Sequence, residues 1–185
     1  MRKNAKEQLL DAASELFYRD GVRAVGVDKI VAESGVSKMT LYSHFGSKEL
    51  LVAAWLDRSG RTWMAWLEAA VERRGGGVVA VFDALREWFE SPGFRGCPFQ
   101  NSQAELGNSS PLVRTIVRTN KQMLREYLER LAVSEGVEAP EPLARELLLL
   151  VEGAIVTASV EGDSAAASIA RRVAARALAD SLSRS

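Results

Sequence analysis

The stretch VDKIVAESGVSKMTLYSHFGSKELL, residues 27–51, decides the fold of this chain. Apolar residues recur in it at helical spacing, and two glycines interrupt the pattern. Gly35 ends a short helix over about 27–34, and Gly46 ends a second helix that starts near Ser37. The turn between them is short and contains glycine, as in a helix-turn-helix. The stretch therefore predicts two short helices joined by a tight turn.

The second of these helices has two contrasting faces. Leu41 and Phe45 lie one helical turn apart and predict its buried side. At about 100° per residue, Met39 and Ser43 then point outward. A polar outward face suits the major groove of DNA, which admits one α-helix. Short helices with a glycine turn also occur in folds that bind no DNA, so periodicity alone leaves that alternative open.

A longer helix precedes this unit. In LLDAASELFYRDG, residues 9–21, apolar residues recur at helical spacing, and the terminal glycine is a good helix stop. We expect this helix to pack on the two short ones and to complete a three-helix head. Its apolar face consists of Leu9, Ala13, Leu16 and Phe17.

Several short motifs in residues 35–51 occur in the same order in a known family. They are Gly35-Val36-Ser37-Lys38, Thr40-Leu41-Tyr42, His44-Phe45, Ser47-Lys48 and Leu50-Leu51. With them, the stretch closely resembles the N-terminal DNA-binding region of TetR-family (tetracycline-repressor-like) regulators, and residues 9–21 resemble the family's first helix.

The resemblance implies a recognition helix over about 38–45. It places one group of side chains at base edges or adjacent phosphates, namely Lys38, Met39, Thr40 and Ser43. It places a second group on the phosphate backbone, namely Tyr42, His44 and Lys48.

Two positions depart from the family's pattern. Gly26 stands where the family usually has a threonine or serine that caps the second helix and contacts a phosphate. Glycine still caps at little cost, but the side-chain contact is lost. Met39 stands where the family often has a small residue or proline, and its apolar side chain suits a thymine methyl group.

Composition restricts the class of protein. The 185-residue chain has 24 basic and 24 acidic side chains, so a DNA-binding surface must be a local feature. The single cysteine, Cys97, excludes an intrachain disulfide; it is predicted to be a buried apolar residue, with a redox-sensing thiol as the alternative. The N-terminus lacks the apolar run of a signal peptide, and Leu147–Val151 is too short to span a membrane. We therefore expect a cytoplasmic protein with no membrane partner.

Motifs for catalysis and for metal binding are missing from the sequence. It has one histidine, and it contains no HExxH, no Cys-x-x-Cys, no phosphate-binding loop and no nucleophile elbow. We therefore expect no enzyme activity, no cofactor and no metal site.

The remainder of the chain is also helical by its pattern. A fourth helix is predicted from Ser47 to about Arg74, where Gly75-Gly76-Gly77 breaks it. Later helices are predicted at about 78–90, 99–107, 111–134, 141–160 and 164–183. The predicted fold class is all-α with about nine helices. The head is predicted over 1–50, and the resemblance implies a helical ligand-binding and dimerisation body over 51–185.

Apolar stripes on the last two helices are candidates for a dimer interface. Two helices from each subunit would form a four-helix bundle, and the alternative is that the stripes face the subunit's own core. The predicted interface residues are Leu143, Leu147, Val151, Ile155, Ile169, Val173 and Ala177.

Aromatic and polar residues of the body are candidates for an effector pocket. The alternative is that they belong to the core, because aromatic residues at helical spacing usually do. The candidates are Trp63, Trp66, Phe82, Trp88, Phe89, Phe99, Gln100, Gln103, Met123 and Tyr127.

Together, these features and the resemblance predict a ligand-responsive transcriptional regulator. In this interpretation, a homodimeric repressor binds a palindromic double-stranded operator. An unidentified small-molecule effector in the C-terminal pocket then moves the fourth helix and releases the DNA. The alternatives are an activator and a regulator without a small-molecule effector, because the sequence does not fix the sign of regulation.

Overall fold

Glycine, serine and proline set where the helices begin and end. The computed structural model describes residues 4–183, and in this range it contains nine α-helices and no strand. The predicted all-α class is confirmed. The helices are α1 Ala5–Asp20, α2 Val27–Ser34, α3 Lys38–Phe45, α4 Lys48–Glu72, α5 Val78–Phe89, α6 Pro98–Leu106, α7 Pro111–Ser134, α8 Pro140–Glu161 and α9 Ala165–Leu182.

The two ends of the chain fall outside this description. Residues 1–3, at the start of the predicted domain 1–50, and residues 184–185, at the end of the predicted domain 51–185, lie outside the described residues. Between them, no helix is both long enough and apolar enough to cross a lipid bilayer.

Capping explains the ends of the first helices. Asn4 Oδ1 accepts the Glu7 N–H at 2.9 Å, and the Glu7 carboxylate accepts the Asn4 N–H at 3.2 Å, which forms a capping box for α1. α2 ends at Gly35, whose φ of 67° lies in the left-handed region that glycine adopts without steric cost. The chain therefore reverses at Gly35 and enters α3 shortly afterwards.

The first three helices share a small apolar core. α1 packs against α2 and α3, and these two pack against each other. Leu9, Leu16, Ile30 and Leu41 are fully or almost fully buried there. Burying one such side chain contributes about 1.5–3 kcal/mol. This core therefore fixes the orientation of α3.

The chain divides into two compact units. The first combines the residues up to Arg61 with Pro98–Arg118, and the second combines Thr62–Cys97 with the residues from Thr119 onward. α4 and α7 each contribute residues to both units. The predicted division into domains 1–50 and 51–185 is a functional one, and it stays a prediction.

In the first unit, α4 is tied to α1 by an arginine. Arg58 Nη1 donates to Asp11 Oδ1 at 2.6 Å, and Arg58 Nη2 donates to the Leu10 carbonyl at 2.9 Å. The rings of Phe17 and Trp55 also meet there, with centroids 5.3 Å apart. The N-terminal half of α4 is thus anchored on α1.

In the second unit, α9 packs against α5 and α8 through small side chains. Small side chains allow two helices to approach closely. The buried face of α9 consists of Ala166, Ala167, Ala170 and Ala174.

Part of the predicted dimer interface belongs to this core instead. Leu143, Leu147, Val151 and Ile155 are buried inside the chain, where α8 packs on α5 and α9. The prediction that they face a partner is therefore wrong. The physical reason is that α8 has apolar residues on more than one side, and the chosen stripe is the inward one. Ala177 of α9 is half-buried.

Candidate nucleic-acid interface

α3 presents its polar side to solvent. Leu41 is fully buried and Phe45 is buried, whereas Met39 is 81% exposed and Ser43 is exposed. The orientation predicted from the spacing of Leu41 and Phe45 is confirmed. A helix held by two buried anchors and exposed on the opposite side is free to enter a groove.

The start of α3 is fixed by its cap. Ser37 Oγ accepts the Thr40 N–H at 3.1 Å, and the hydroxyl oxygens of the two residues lie 2.8 Å apart. Thr40 is half-buried. Its hydroxyl therefore contacts the cap and is also partly accessible on the surface predicted to contact DNA. Helix N-termini attract phosphates because their N–H groups are unpaired and partly positive.

Lys38 lies in the first turn of α3 and pairs with α2. Its Nζ lies 2.9 Å from Asp28 Oδ1, and both side chains are largely exposed. The hydrogen bond and charge of Asp28 raise the pKa of Lys38, so the lysine stays protonated. Exposed ion pairs contribute little to stability. A DNA phosphate can therefore replace the carboxylate at small cost.

Lys48 begins α4 and is half-buried. Its Nζ donates to the Val22 carbonyl at 2.6 Å. Burial lowers the pKa of Lys48, and the negative charge of Glu105 partly opposes this shift. An ammonium group has three donors, so the bond to Val22 leaves others for a phosphate. The preceding Ser47 accepts the Leu50 N–H at 3.1 Å and caps α4.

Tyr42 and His44 complete the surface predicted to contact DNA. Both are exposed, and the His44 ring packs edge-on against Phe45 with centroids 6.5 Å apart. The predicted DNA-contacting residues thus lie on α3 or at the start of α4. Their contact with DNA stays a prediction.

Comparison with known proteins identifies the family. The profile described as "Bacterial regulatory proteins, tetR family" matches residues 9–55, and "Tetracyclin repressor-like, C-terminal domain" matches residues 70–174. The chain belongs to the TetR family. It is a transcriptional regulator with a DNA-binding helix-turn-helix domain, as the motifs of residues 35–51 indicate.

Relatives and solved structures agree with this assignment. The HTH-type transcriptional regulator YxaF of Bacillus subtilis is 42% identical over 170 residues, which cover 88% of each chain. The HTH-type transcriptional repressor DhaR of Mycobacterium sp. is 27% identical over 86% of this chain and 85% of its own. The crystal structure of SCO4454, a TetR-family regulator from Streptomyces coelicolor, superposes with a TM-score of 0.85. It is 31% identical and covers 96% of this chain and 95% of its own.

This TetR-family protein gathers several of the predicted pocket residues in one place, which we name the tryptophan cluster. The Trp63 ring centroid lies 6.5 Å from that of Trp66 and 5.3 Å from that of Trp88, and Trp88 lies 5.9 Å from Phe89. Phe94, which the sequence analysis missed, lies 5.0 Å from both Trp88 and Phe89. The Trp63 indole N–H is buried without a hydrogen-bond partner.

The other predicted pocket residues do not form a single group. Those in α6 belong to the first compact unit, and the rest belong to the second. Burial places several of them in the packed interior. Phe82, Phe99 and Tyr127 are buried, Gln100 is half-buried, and Gln103 and Met123 are exposed.

Exposed apolar residues form a stripe on the last two helices, which we name the α8–α9 stripe. On α8, Leu149, Val156 and Val160 are 74%, 48% and 79% exposed, and on α9, Ile169 and Val173 are 52% and 43% exposed. The α8 residues recur at helical spacing and lie on one side of the helix. Ile169 and Val173 belong to the predicted dimer interface, but the α8 members do not, because the interface was predicted on the inward side of that helix.

Cys97 lies in the interior, as predicted. Lys121 Nζ is 3.4 Å from its Sγ, and the same ammonium pairs with Glu152 at 2.8 Å. The thiol therefore forms part of a partly buried polar contact, and the redox alternative stays untested.

Proposed function

We propose that this protein is a ligand-responsive repressor that binds a palindromic operator as a homodimer. One observation carries the proposal: α3 is anchored by Leu41 and Phe45, and its opposite side is exposed. Such a helix is rigid enough to read bases and accessible enough to reach them. The α8–α9 stripe supports the homodimer, and the tryptophan cluster supports binding of an effector.

In this proposal, the exposed residues of α3 divide into two roles. Lys38, Met39 and Ser43 contact base edges, with Thr40 beside them, because they occupy the first turns and the outward side of the helix. Contacts to base edges specify sequence, whereas contacts to phosphates fix the position of the protein. Tyr42, His44 and Lys48 take the second role. No other groove-reading element is needed for one half-site.

The α8–α9 stripe supports homodimerisation. Ile169 of α9 and Val160 of α8 are large apolar side chains that a monomer leaves in water. Several exposed apolar residues on paired helices are typical of an interaction site. A second copy of the chain is its proposed occupant, because helix pairs from two subunits form a closed four-helix bundle. Two heads then read half-sites about 34–36 Å apart, or a multiple of that distance.

The tryptophan cluster supports an apolar, aromatic effector. A buried donor without a partner is unfavourable by about 1–3 kcal/mol. The Trp63 N–H is such a donor, and the rings of Trp66 and Trp88 surround it with apolar surface. A ligand with a flat apolar body and one hydrogen-bond acceptor satisfies both features. Its binding releases DNA only if its affinity differs between the DNA-binding state and the released state.

The names of the relatives favour repression over activation of transcription. DhaR is named a repressor, and so is KstR2 of Mycobacterium tuberculosis, which matches 71% of this chain. FasR of Mycolicibacterium smegmatis is named an activator, but it matches 51% of this chain and 45% of its own length. Activation is therefore the second candidate. In either case the operator lies in bacterial DNA, so we place the protein in the cytoplasm.

Selection of bound fragments from random duplex DNA tests the proposal. The protein should enrich an inverted repeat whose half-site centres are about one helical turn, or a multiple of it, apart. A Met39→Ala, Ser43→Ala double variant provides the matched comparison, because both side chains are exposed and support no core. It should keep its affinity for unrelated DNA and lose base preference within each half-site.

Two results would contradict the proposal. One is a wild-type sample that enriches no sequence. The other is a double variant that recovers the same site with the same base preferences, because α3 would then not be the reading element.

A further inference from the structure

Three consecutive residues after α1 each meet a residue far along the chain. The Val22 carbonyl accepts a hydrogen bond from Lys48 Nζ at 2.6 Å. The Arg23 N–H donates to Glu105 Oε2 at 2.7 Å. Gly21 has a φ of 84°, and a Cβ at this position would lie 3.0 Å from Glu105 Oε1. We name residues 21–23 the α1–α2 turn; its glycine leaves the space that the Glu105 carboxylate occupies.

Glu105 holds this turn through its backbone as well. Arg23 Nε donates to the Glu105 carbonyl at 2.6 Å, in the last turn of α6. A cation at the C-terminal end of a helix is favourable, because the unpaired carbonyls there are partly negative. Arg23 therefore donates two hydrogen bonds to Glu105, one from its backbone N–H to the carboxylate and one from its guanidinium to the backbone carbonyl.

The start of α4 is linked to the following segment in the same unit. Glu49 accepts a hydrogen bond from Ser110, whose hydroxyl is buried and also accepts the Val113 N–H at 3.1 Å. Ser110 thus caps α7 and contacts the residue next to Lys48. The residues from Glu105 to Ser110 belong to the segment 70–174 that the C-terminal family profile covers. That segment therefore contacts the DNA-binding head around Lys48.

We propose that Glu105 is a positioning residue for DNA binding: it fixes the α1–α2 turn, and through the Val22 carbonyl it places the Lys48 ammonium for a phosphate. This inference rests on the proposed function in one respect, the phosphate contact of Lys48. Its consequence is that α6 adjusts phosphate binding directly. A shift of α6 that withdraws Glu105 releases the turn and leaves Lys48 without its fixed position.

Titration of full-length variants with duplex DNA at several salt concentrations tests this inference. The probes are an operator duplex recovered by selection and an unrelated duplex of equal length. Glu105→Ala and Lys48→Ala should each weaken binding to both duplexes by about tenfold. Each should also reduce the slope of log K against log salt by about one. The double variant should be no weaker than Lys48→Ala alone, because both changes remove the same contact.

Two control variants distinguish a positioning role of Glu105 from the effect of its negative charge. Glu105→Gln keeps an oxygen that accepts the Arg23 N–H, so it should retain wild-type affinity and salt slope. Glu138→Ala removes an exposed carboxylate elsewhere and reports the general effect of one lost negative charge. Melting curves of all variants establish that they fold. If Glu105→Ala does not fold, Arg23→Ala replaces it with Glu105→Gln as the control, because Arg23→Ala removes the guanidinium bond between the turn and the Glu105 carbonyl and should weaken binding in the same direction.

The outcomes distinguish this inference from the proposed function. If Lys48→Ala leaves affinity and salt slope unchanged, the phosphate assignment fails and the role of Glu105 fails with it. If Lys48→Ala weakens binding but Glu105→Ala does not, only the positioning role is wrong. If Glu105→Ala tightens binding beyond the Glu138→Ala control, Glu105 competes with DNA for the lysine, which also overturns the inference.

Discussion

At the scale of single residues, three lysines of the head already have acceptors before DNA arrives. Lys38 pairs with Asp28, and Lys29 pairs with Asp20 at 2.8 Å. Lys48 donates to a backbone carbonyl instead. In the proposed DNA contacts, binding is thus an exchange of partners rather than the capture of free charges, which is consistent with a chain of zero formal net charge. Exposed pairs are weak, so the exchange is favourable for phosphates.

Tyr127, in the body, makes the free energy of unfolding depend on pH in the alkaline range. Burial, followed by the charge of Glu68, raises the pKa of Tyr127 from its ordinary 10.0 to about 12. The neutral phenol is therefore favoured in the folded state. Its contribution to stability is complete below pH 10 and is lost as the pH rises from 10 through 12. The Tyr127→Phe variant should therefore show a smaller loss of unfolding free energy between pH 10 and 12 than the wild type. Urea denaturation at several pH values in this range measures the difference.

The internal control is the comparison at neutral pH. There the phenol is protonated in both states, so the two proteins should show a constant difference in stability that does not vary with pH. A Tyr127→Phe protein that loses stability above pH 10 as steeply as the wild type would contradict the assignment.

At the scale of elements, α2 begins at a cap that serine would improve. Gly26 has φ −79° and ψ 158°, an extended conformation open to any residue, and a Cβ there meets nothing within 4 Å. Gly26→Ser adds a hydroxyl that accepts an orphan N–H of α2, and it also restricts the unfolded chain. It should raise the unfolding free energy by about 0.5–1 kcal/mol, measured by denaturant titration.

Gly26→Ala is the matched control for the cap. Alanine also restricts the unfolded chain but supplies no hydroxyl, so it should stabilise less than serine does. The serine variant should in addition bind an unrelated duplex more tightly than the alanine variant, because a hydroxyl can donate to a phosphate. Equal stability and equal DNA affinity of the two variants would show that the hydroxyl has no function at this position.

Elements also show how far the sequence could be interpreted. The helices and the orientation of α3 were predictable because Gly35, Ser37 and Gly46 act on their immediate neighbours. The inward side of α8 was not, because Leu147–Val151 is apolar on several sides and the positions of α5 and α9 decide which side is buried. Phe94 was missed because it lies in a loop, where helical spacing carries no information.

Residue partners were even less accessible from the sequence. The motifs of residues 35–51 predicted Lys38 and Lys48, but nothing in them indicates that Asp28 pairs with Lys38 or that the charge of Glu105 raises the pKa of Lys48. Glu105 reaches the α1–α2 turn only through the tertiary fold, because it lies 82 residues along the chain from Arg23. Local patterns identify candidate residues, and long-range packing determines what those residues touch.

At the scale of the whole molecule, the proposed homodimer gains its specificity by joining two heads. One α3 of eight residues is too short to read more than a few bases. When two heads are linked, the second half-site binds as an intramolecular step, which strengthens binding by about 10²–10⁴ without any new contact. In the proposed homodimer, operator recognition therefore depends on the α8–α9 stripe, although the stripe is remote in sequence from α3.

A charge placed in this stripe should weaken binding to the full operator without affecting binding of one head to a half-site. Ile169→Glu puts a carboxylate on an exposed position, so it should leave the fold intact and yield a monomer by light scattering. Affinity for a full operator should then fall at least a hundredfold, whereas binding to an isolated half-site should not change. Val133→Glu, the same change at an exposed apolar residue of α7 outside the stripe, should remain dimeric.

Leu147→Ala provides the opposite pattern, because this side chain is fully buried in the chain's own core. It should lower the unfolding free energy by about 2–5 kcal/mol and should not separate half-site binding from operator binding in the fraction that is folded. A folded Ile169→Glu protein that still behaves as a dimer and still binds the full operator tightly would mean that the subunits associate elsewhere. The exposed side of α8 and α9 would then require a different occupant.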